Sequence, residues 1–287
     1  MRTRALPGLV VGLVVGLVVG LLAAASLAEP GAGATTPTTT PTTTPTTTPT
    51  TTPAADGWTP PPTGTDVDYQ LGGDAEVPDH VGIVVRDRTA EPLEGRYNVC
   101  YVNAFQTQPD ARAFWKRHER LVLHDGGRRV VDEAWGEWLL DVRTPAKRTA
   151  LLRIVGAWID GCAADGFDAV EFDNLDSFTR SHRLITRAQA LAYAADLVAR
   201  AHAAGLAAAQ KNLAGYDGTA IGFDLAIAEE CGRYRECAAY TDVYGPQVLM
   251  IEYRRRDFRW TCRHEGADHA VVLRDRDLSP DGVHAWC

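Results

Sequence analysis

Acidic side chains stand at the ends of several short apolar segments of this chain. One segment ends in Glu171-Phe172-Asp173-Asn174, and others end in Glu229-Glu230, in Glu252 and in Asp141. Hydrolysis of a glycosidic bond needs two opposed carboxylates, one as acid and the other as nucleophile or base. Carboxylates at several segment ends therefore predict a carboxylate-based site, with glycosidic cleavage as its chemistry.

The spacing of Glu171 and Asp173 places both side chains on one face of a β-strand, because side chains alternate along a strand. Phe172 then faces the opposite side, where helices would cover it. Two buried carboxylates are costly unless they are solvated or paired, and Lys211, at the end of the next apolar segment, is a candidate partner. The simpler interpretation, that each acid caps a turn or holds a loop, fits a single acid better than the whole set.

Other chemistries find little support in the residues. The sequence contains no glycine-rich phosphate loop after an apolar segment and no Gly-x-Ser-x-Gly nucleophile motif. The eight histidines lack His-Glu-x-x-His spacing, so we expect no metal and no cofactor, with an acidic metal site as the weaker alternative. The formal net charge of −8 disfavours nucleic acid as a partner and would suit a cationic substrate.

Apolar segments alternate with helical patterns along residues 58–287, which is typical of a parallel sheet with crossover helices. Eight segments have the character of strands, which predicts a single (β/α)8 TIM barrel of the α/β class. The predicted strands cover residues 69–71, 81–86, 98–104, 138–142, 167–173, 206–211, 223–229 and 247–252. Active sites of such barrels lie at the carboxyl ends of the strands, which is where the acids stand.

Two helices between these strands are well marked. Apolar residues recur at three- and four-residue steps between Thr144 and Gly166, as on the buried face of an amphipathic helix. A second helix is predicted to begin at Thr186, where Gln189 completes a capping box, and to end near Gly205. We interpret the apolar residues of both helices as core and not as binding surface.

The first part of the chain differs in composition from the rest. Residues 1–28 combine Arg2 and Arg4 with a long apolar run and end in Ser26-Leu27-Ala28, which predicts a cleaved export signal. An uncleaved membrane anchor is the alternative, because residues 9–27 carry no charge. Residues 29–57 contain Pro-Thr-Thr-Thr repeats, which cannot form a packed core and predict an extended linker.

Residues 58–287 are then the folded domain of an exported protein. We expect a monomer that is secreted, or that touches a membrane only through the N-terminal segment. All six cysteines lie in this domain, and an oxidising compartment predicts up to three disulfides. Sequence alone leaves their pairing open, with Cys231–Cys237 as the best single candidate.

A series of short motifs runs in order through residues 58–287. They are Trp58-x-Pro60, Tyr69-Gln70-Leu71, Val99-Cys100-Tyr101, Trp135-Gly136-Glu137-Trp138-Leu139, the segment from Gly166 to Asn174, Lys211-Asn212, Glu229-Glu230-Cys231 and Ile251-Glu252-Tyr253. The series resembles the endo-α-1,4-polygalactosaminidase family, glycoside hydrolase family 114. The resemblance implies a barrel enzyme that cleaves a galactosamine-containing or related amino-sugar polysaccharide, with Asp173 and Glu229 as its catalytic carboxylates.

Further side chains at the predicted strand ends are interpreted as substrate-binding, and their acids would hold cationic amino sugars. They are Tyr101, Asp141, Glu171, Asn174, Lys211, Asn212, Glu230 and Glu252. Alternation leaves the second carboxylate open, because Leu225 and Ile227 resemble helix-facing residues, which would direct Glu230 inward instead of Glu229. Whether cleavage retains or inverts the anomeric configuration depends on the distance between the carboxyl groups and stays open as well.

The segment after the third predicted strand departs from the family's pattern. It reads Asn103-Ala104-Phe105-Gln106-Thr107-Gln108, where the family has a small glycine-containing turn and then an acid. We expect this loop to shape a substrate subsite, so that the preferred sugar or linkage can differ from that of the family. A barrel that binds carbohydrate at the cell surface without cleaving it is the alternative function.

Overall fold

The computed structural model describes residues 57–287. Its strands, in chain order, are β1 (Asp66–Gln70), β2 (Val81–Asp87), β3 (Tyr97–Asn103), β4 (His124–Asp125), β5 (Arg128–Arg129), β6 (Val131–Asp132), β7 (Glu137–Trp138), β8 (Ala169–Asp173), β9 (Ala207–Lys211), β10 (Leu225–Glu229), β11 (Val248–Glu252), β12 (Ala270–Arg274) and β13 (His284–Trp286). Its helices are α1 (Arg112–Arg117), α2 (Pro145–Asp165), α3 (Arg187–Ala203), α4 (Cys231–Tyr234), α5 (Ala238–Tyr244) and α6 (Arg255–His264).

The main sheet has the strand order β1-β2-β3-β8-β9-β10-β11-β12-β13, and every neighbouring pair is parallel except β12 with β13. The short antiparallel strand β13 lies where the barrel closes, and Trp286 Nε1 donates to the Val67 carbonyl of β1 at 2.8 Å. From β12, Arg274 Nη1 reaches Asp68 of β1 at 3.1 Å. Eight parallel strands thus form a nearly closed barrel, which confirms the predicted fold class.

One predicted strand is wrong, and one barrel strand was missed. β3 pairs directly with β8, and residues 138–142 lie outside the main sheet. Instead, β6 and β7 form a small antiparallel hairpin, and the residues that follow make only isolated bridges. The missing strand is β12, which pairs with β11. An apolar run indicates burial, but it does not reveal which strand, if any, lies beside it.

Alternation along the parallel strands divides the core into two layers. The inner layer fills the barrel and includes Val67, Tyr69, Tyr101, Ala169 and Ala209. The outer layer lies between the strands and the helices and includes the residues next to these in sequence, such as Cys100, Val170 and Ala208.

The two predicted helices are confirmed by α2 and α3. The Thr144 hydroxyl accepts from the Lys147 backbone at 3.3 Å, and α2 ends at Gly166 in the left-handed conformation that glycine favours. Thr186 and Gln189 form a complete capping box at the start of α3. Among residues 57–287, no helix is both long enough and apolar enough to span a membrane. The predicted export signal and nearly all of the predicted linker lie outside the described residues.

Three disulfides use all six cysteines. Cys100–Cys162 ties β3 to α2, and Cys262–Cys287 ties α6 to the last residue. The third, Cys231–Cys237, is the pair that the spacing favoured, and the structure confirms it.

Candidate active site

Three consecutive barrel strands end in the same local conformation. The last residues of β8, β9 and β10 are Asp173, Lys211 and Glu229. Each is followed by a residue with positive φ, which turns the chain sharply after the strand and leaves the last side chain at the barrel mouth. These following residues are Asn174 (φ 65°), Asn212 (φ 53°) and Glu230 (φ 58°). Asparagine is among the few residues that adopt this conformation at low cost.

Lys211 lies at the centre of the barrel mouth, with 3% of its side chain exposed. Its Nζ is 2.8 Å from Glu171 Oε1, 3.3 Å from Glu229 Oε2 and 3.6 Å from Asp173 Oδ1. It also donates to the Tyr69 hydroxyl at 2.7 Å. Burial lowers the pKa of the ammonium, but the surrounding acids, Asp173 foremost, outweigh it and raise the pKa well above its usual value. Lys211 is therefore a fixed positive charge shared by three carboxylates.

Glu171 is the buried member of this group and has no exposed side-chain surface. Its Oε1 accepts hydrogen bonds from the Tyr69 hydroxyl at 2.7 Å and from Lys211. Burial raises the pKa of the carboxyl group to about 6, and the Lys211 charge opposes that rise. From this position, Glu171 can hold Lys211 in place beneath two outer carboxylates, those of Asp173 and Glu229.

Asp173 is one of those outer carboxylates, and 19% of its side chain is exposed. Its Oδ2 accepts two hydrogen bonds, from the Tyr101 hydroxyl at 2.7 Å and from Asn174 Nδ2 at 3.1 Å. Its Oδ1 faces Lys211 at 3.6 Å, beyond hydrogen-bonding distance. Burial and the Asp173 charge raise the pKa of the Tyr101 phenol well above its usual value, so the phenol remains a donor. Oδ1 thus makes fewer hydrogen bonds than Oδ2.

Glu229 is the second outer carboxylate, with 22% of its side chain exposed. Burial, followed by the charge of Glu229, raises the pKa of the neighbouring Tyr253 phenol far above its usual value. The Glu229 backbone N–H donates to Asn212 Oδ1 at 2.9 Å. Side-chain and backbone contacts together hold Glu229 across the mouth from Asp173.

The structure places Glu229, and not Glu230, in the barrel mouth. The expectation that Leu225 and Ile227 face the helices is wrong, because both belong to the inner layer, and alternation then continues inward to Glu229. Glu230 turns the other way, and its carboxylate pairs with Arg233 at 2.7 Å and with Arg276 at 2.6 Å. Alanines at alternate positions of β10 made the strand apolar on both faces, so its sequence carried no clear orientation.

The carboxylate geometry agrees with a comparison of the sequence with protein families. A model described as glycoside-hydrolase family GH114 matches residues 47–287. The chain belongs to family GH114. It is therefore a glycoside hydrolase, and the resemblance that its motifs indicated is confirmed.

Two solved structures share the fold of this GH114 hydrolase. Ega3 of Aspergillus fumigatus, solved in complex with galactosamine, has a TM-score of 0.66 and 21% identity over 79% of this chain and 99% of that chain. The glycoside hydrolase domain of PelA of Pseudomonas aeruginosa has a TM-score of 0.55 and 17% identity over 77% of this chain and 98% of that chain. Among curated protein sequences, none matches significantly.

Besides Glu230, two further acids of this GH114 hydrolase that were expected to bind substrate lie elsewhere. Asp141 is buried against Arg143 and Lys147, because the segment that carries it is not a barrel strand. Glu252 faces the helices, since Ile251 before it points into the barrel. Its Oε1 accepts from the Gly232 backbone at 2.6 Å and from the Thr261 hydroxyl at 3.1 Å. Both carboxylates hold the chain in place and do not line the mouth.

Two tyrosines at the mouth were not singled out from the sequence of this GH114 hydrolase. Tyr69 ends the inward face of β1, where Val67 precedes it, and Tyr253 continues the inward series of Leu249 and Ile251. The alternation used for Glu171 and Asp173 would have found both residues.

The segment after β3, which was expected to shape a substrate subsite, is buried from Asn103 to Thr107. Phe105 packs against Tyr193 with ring centroids 5.2 Å apart, and Gln106 Nε2 donates to Asp132 at 3.3 Å. Asn103 begins the segment and donates to Glu137 at 2.9 Å. Burial raises the pKa of Glu137 to about 7, and the charge of Asp173 adds to the rise. The segment that departs from the family's pattern thus supplies polar contacts behind the carboxylates.

Among residues 57–287, no group of three or more His, Cys, Asp or Glu side chains is placed to hold a metal ion. The chemistry available at the mouth is that of two partly exposed carboxylates beside one buried ammonium. Such a pair can attack an electrophilic carbon and transfer a proton.

Proposed function

We propose that this GH114 hydrolase cleaves internal bonds of a polymer of galactosamine or a related amino sugar. The observation that carries the proposal is the pair Asp173 and Glu229, joined through one ammonium at the barrel mouth. A mouth with an excess of carboxylates suits a substrate that carries ammonium groups. The presence of galactosamine in the complex of the structural neighbour Ega3 supports the choice of sugar.

In the proposed reaction, Asp173 Oδ1 attacks the anomeric carbon while Glu229 gives its proton to the glycosidic oxygen. The glycosidic C–O bond breaks, and a glycosyl ester forms on Asp173. Water then attacks the same carbon, its proton passes to Glu229, and the ester bond breaks, which restores both side chains. Tyr101 and Asn174 hold the other oxygen of Asp173, and Lys211 holds Glu229.

The distance between the two carboxylates is compatible with this double displacement. Asp173 Oδ1 and Glu229 Oε2 lie 3.6 Å and 3.3 Å from the same Lys211 nitrogen, so their separation cannot exceed the sum of these distances. That upper limit includes the separation of about 5 Å typical of retaining enzymes, and it also reaches the bottom of the range of about 6.5–9.5 Å typical of inverting enzymes. The anomeric configuration of the first product distinguishes the two: retention supports the double displacement, and inversion would reject it.

The proposed protein acts outside the cell. Residues 1–28 would direct export, residues 29–57 would form an extended linker, and residues 58–287 would be the catalytic domain. The pairing of all six cysteines supports an oxidising compartment. We propose that the domain is monomeric and is either secreted or held at the membrane by its N-terminal segment.

The two catalytic assignments are tested by Asp173→Asn and Glu229→Gln, with Glu230→Gln as the matched control. The control removes the adjacent carboxylate, which faces Arg233 and Arg276 instead of the mouth. We expect each of the first two variants to lose activity by roughly 10²- to 10⁴-fold, the range typical of positioned acid and base groups. The control should stay close to wild type.

The measurement is the appearance of new reducing ends from a panel of amino-sugar and neutral polysaccharides, with circular dichroism to show that each variant is folded. Near-normal turnover by Asp173→Asn or Glu229→Gln would reject the assignments. Cleavage of neutral polymers alone would reject the proposed substrate.

A further inference from the structure

Two amide side chains connect Asp173 to a carboxylate outside the barrel. Asn174 Nδ2 lies 3.1 Å from Asp173 Oδ2 and 3.1 Å from Asn103 Oδ1. Asn103 Nδ2 in turn donates to Glu137 Oε2 at 2.9 Å. Asn103 is buried and is the partner of Asp173 in the pairing of β3 with β8. A continuous set of hydrogen bonds therefore runs from Glu137 to the catalytic carboxylate.

The direction of these hydrogen bonds depends on how each amide is turned, because an amide offers an acceptor on one side and donors on the other. The backbone N–H of Gln106 can only donate, and it donates to Asn103 Oδ1 at 3.1 Å. Asn103 must therefore present its Oδ1 on this side, toward Asn174, and its Nδ2 to Glu137.

Arg180 fixes the second amide from the other side. A guanidinium can only donate, and Arg180 Nη2 donates to Asn174 Oδ1 at 3.0 Å. Asn174 must therefore turn its Nδ2 toward Asp173. With the opposite orientation, the amide oxygen would face the carboxylate oxygen of Asp173, and two acceptors would repel each other.

One hairpin supplies both ends of this arrangement. Asp132 and Glu137 are opposite each other in the pairing of β6 with β7. Glu137 holds Asn103, while Asp132 Oδ2 pairs with Arg180 Nε at 2.7 Å. The hairpin occupies the chain between β3 and β8, the segment from which a barrel strand had been predicted.

We propose that Glu137 and Arg180 are positioning residues that act through Asn103 and Asn174 to hold Asp173 with Oδ1 free to attack. Neither residue needs to touch the substrate for this role. Tyr101 and Asn174 both bind Oδ2, so the arrangement leaves Oδ1 as the nucleophilic atom. The inference rests on the proposed function, because it assumes that Asp173 is the nucleophile.

The test is a double-mutant cycle between Glu137 and Asn103. Glu137→Leu and Asn103→Ala should each lower kcat by about 10- to 100-fold, the scale of a misplaced reacting group, and leave KM within about two-fold. The double variant should be no worse than the more damaged single variant, because both changes break the same connection. Glu137→Gln, whose amide oxygen can still accept from Asn103, should keep most of the wild-type kcat.

Three results would overturn the inference: additive losses in the double variant, a rise in KM as the main effect, or wild-type kcat in Glu137→Leu. Additive losses would show that Glu137 and Asn103 act independently, and a rise in KM would indicate that Glu137 touches the substrate. If Glu137→Leu does not fold, the same cycle is run from the other end with Arg180→Gln and Asn103→Ala.

A second measurement separates this inference from the proposed function. Unfolding midpoints are compared for Glu137→Leu, Asn174→Ala and their double variant, and they require no turnover. Non-additive shifts would support the connection even if the wild-type chain cleaves none of the polymers, in which case only the proposed function fails. Strictly additive shifts would overturn the connection while activity lost in Asp173→Asn would leave the proposed function intact.

Discussion

At the scale of single residues, the site depends on one lysine in contact with several acids. Lys211 is buried and lies within 4 Å of Glu171, Asp173 and Glu229. Two like charges placed close together at a barrel mouth repel, and each disfavours the ionised state of the other. The ammonium offsets this repulsion and sets the spacing of the two outer carboxylates. One side chain thus contributes both to folding and to the geometry of catalysis.

Lys211→Met should damage both properties. It leaves Glu171 buried without a counter-charge, and breaking a buried ion pair in this way costs about 3–5 kcal/mol of stability. We expect turnover to fall by at least about 10²-fold as well. The double variant Lys211→Met/Glu171→Gln should recover part of the stability, because no uncompensated charge stays buried beneath the mouth, but it should recover no activity.

Urea unfolding and reducing-end assays on the same preparations measure the two effects of the Lys211 change. A double variant no more stable than Lys211→Met would contradict the account of Lys211 as the partner of Glu171.

Glu252 should make stability depend on pH. Burial raises its pKa from the ordinary 4.5 to about 7, so the folded protein binds this proton more tightly than the unfolded chain does. The contribution of this proton to the free energy of unfolding is therefore fully present below about pH 4.5 and is lost as pH rises through about 7. Glutamine does not ionise, so Glu252→Gln does not lose stability in this way. The free energy of unfolding of Glu252→Gln, taken relative to that of wild type, should therefore increase by on the order of 2–3 kcal/mol from pH 5 to pH 8.

The pH dependence is read from the free energy of unfolding at several pH values, with Glu133→Gln, which changes an exposed acid, as the control. A constant difference between Glu252→Gln and wild type across this range would show that Glu252 ionises as freely in the folded protein as in the unfolded chain.

At the scale of elements, the site is built from strand ends and from the segments that tie strands to helices. β8, β9 and β10 end in the same sharp turn, so their last side chains meet at the mouth. β3 holds Tyr101 beside Asp173, and the Cys100–Cys162 disulfide joins β3 to α2. The hairpin of β6 and β7 occupies the segment between β3 and β8. Distant parts of the chain therefore supply one site.

Two of the three disulfides close loops of very different length, so their removal should lower stability by different amounts. Cys100–Cys162 spans 62 residues of sequence and Cys231–Cys237 spans 6. By chain entropy, replacing both cysteines of a pair by alanine should cost about 4 kcal/mol for the first and about 2 kcal/mol for the second. Urea unfolding of the two double variants under oxidising conditions gives both values. An equal or reversed order would show that native-state contacts, and not loop length, dominate.

At the scale of the whole molecule, charge is the property most relevant to substrate choice. The chain carries a formal net charge of −8, and two of its carboxylates lie partly exposed at the barrel mouth. The buried carboxylate of Asp141 lies elsewhere and is already paired with Arg143 and Lys147. An attraction for cationic polymer would therefore come from the mouth and from the overall field.

High salt should weaken this attraction. Raising the ionic strength from about 0.05 M to about 0.5 M shortens the range of electrostatic interactions several-fold. We expect KM for a deacetylated, cationic polymer to rise and KM for the acetylated polymer to stay nearly constant. Initial rates of reducing-end formation give both constants. Equal salt responses for the two polymers would contradict electrostatic recognition.

Much of this architecture follows from local sequence. The Thr186 capping box and the apolar stripe that ends at Gly166 specify α3 and α2, because caps and helical periodicity act within a few residues. Glu171 and Asp173 share a face for an equally local reason, the two-residue repeat of a strand. The ordered series of motifs from Trp58 to Tyr253 also indicated the family.

Only the tertiary structure decided the features that depend on contacts between residues distant in the chain. Residues 138–142 and β12 are both apolar segments. Only β12 is a barrel strand, because it pairs with β11. Glu229 and Glu230 are chemically alike, but one faces Lys211 and the other faces two arginines across a turn. Burial and charge act through space, so residues distant in the chain determine which carboxylate reaches the mouth.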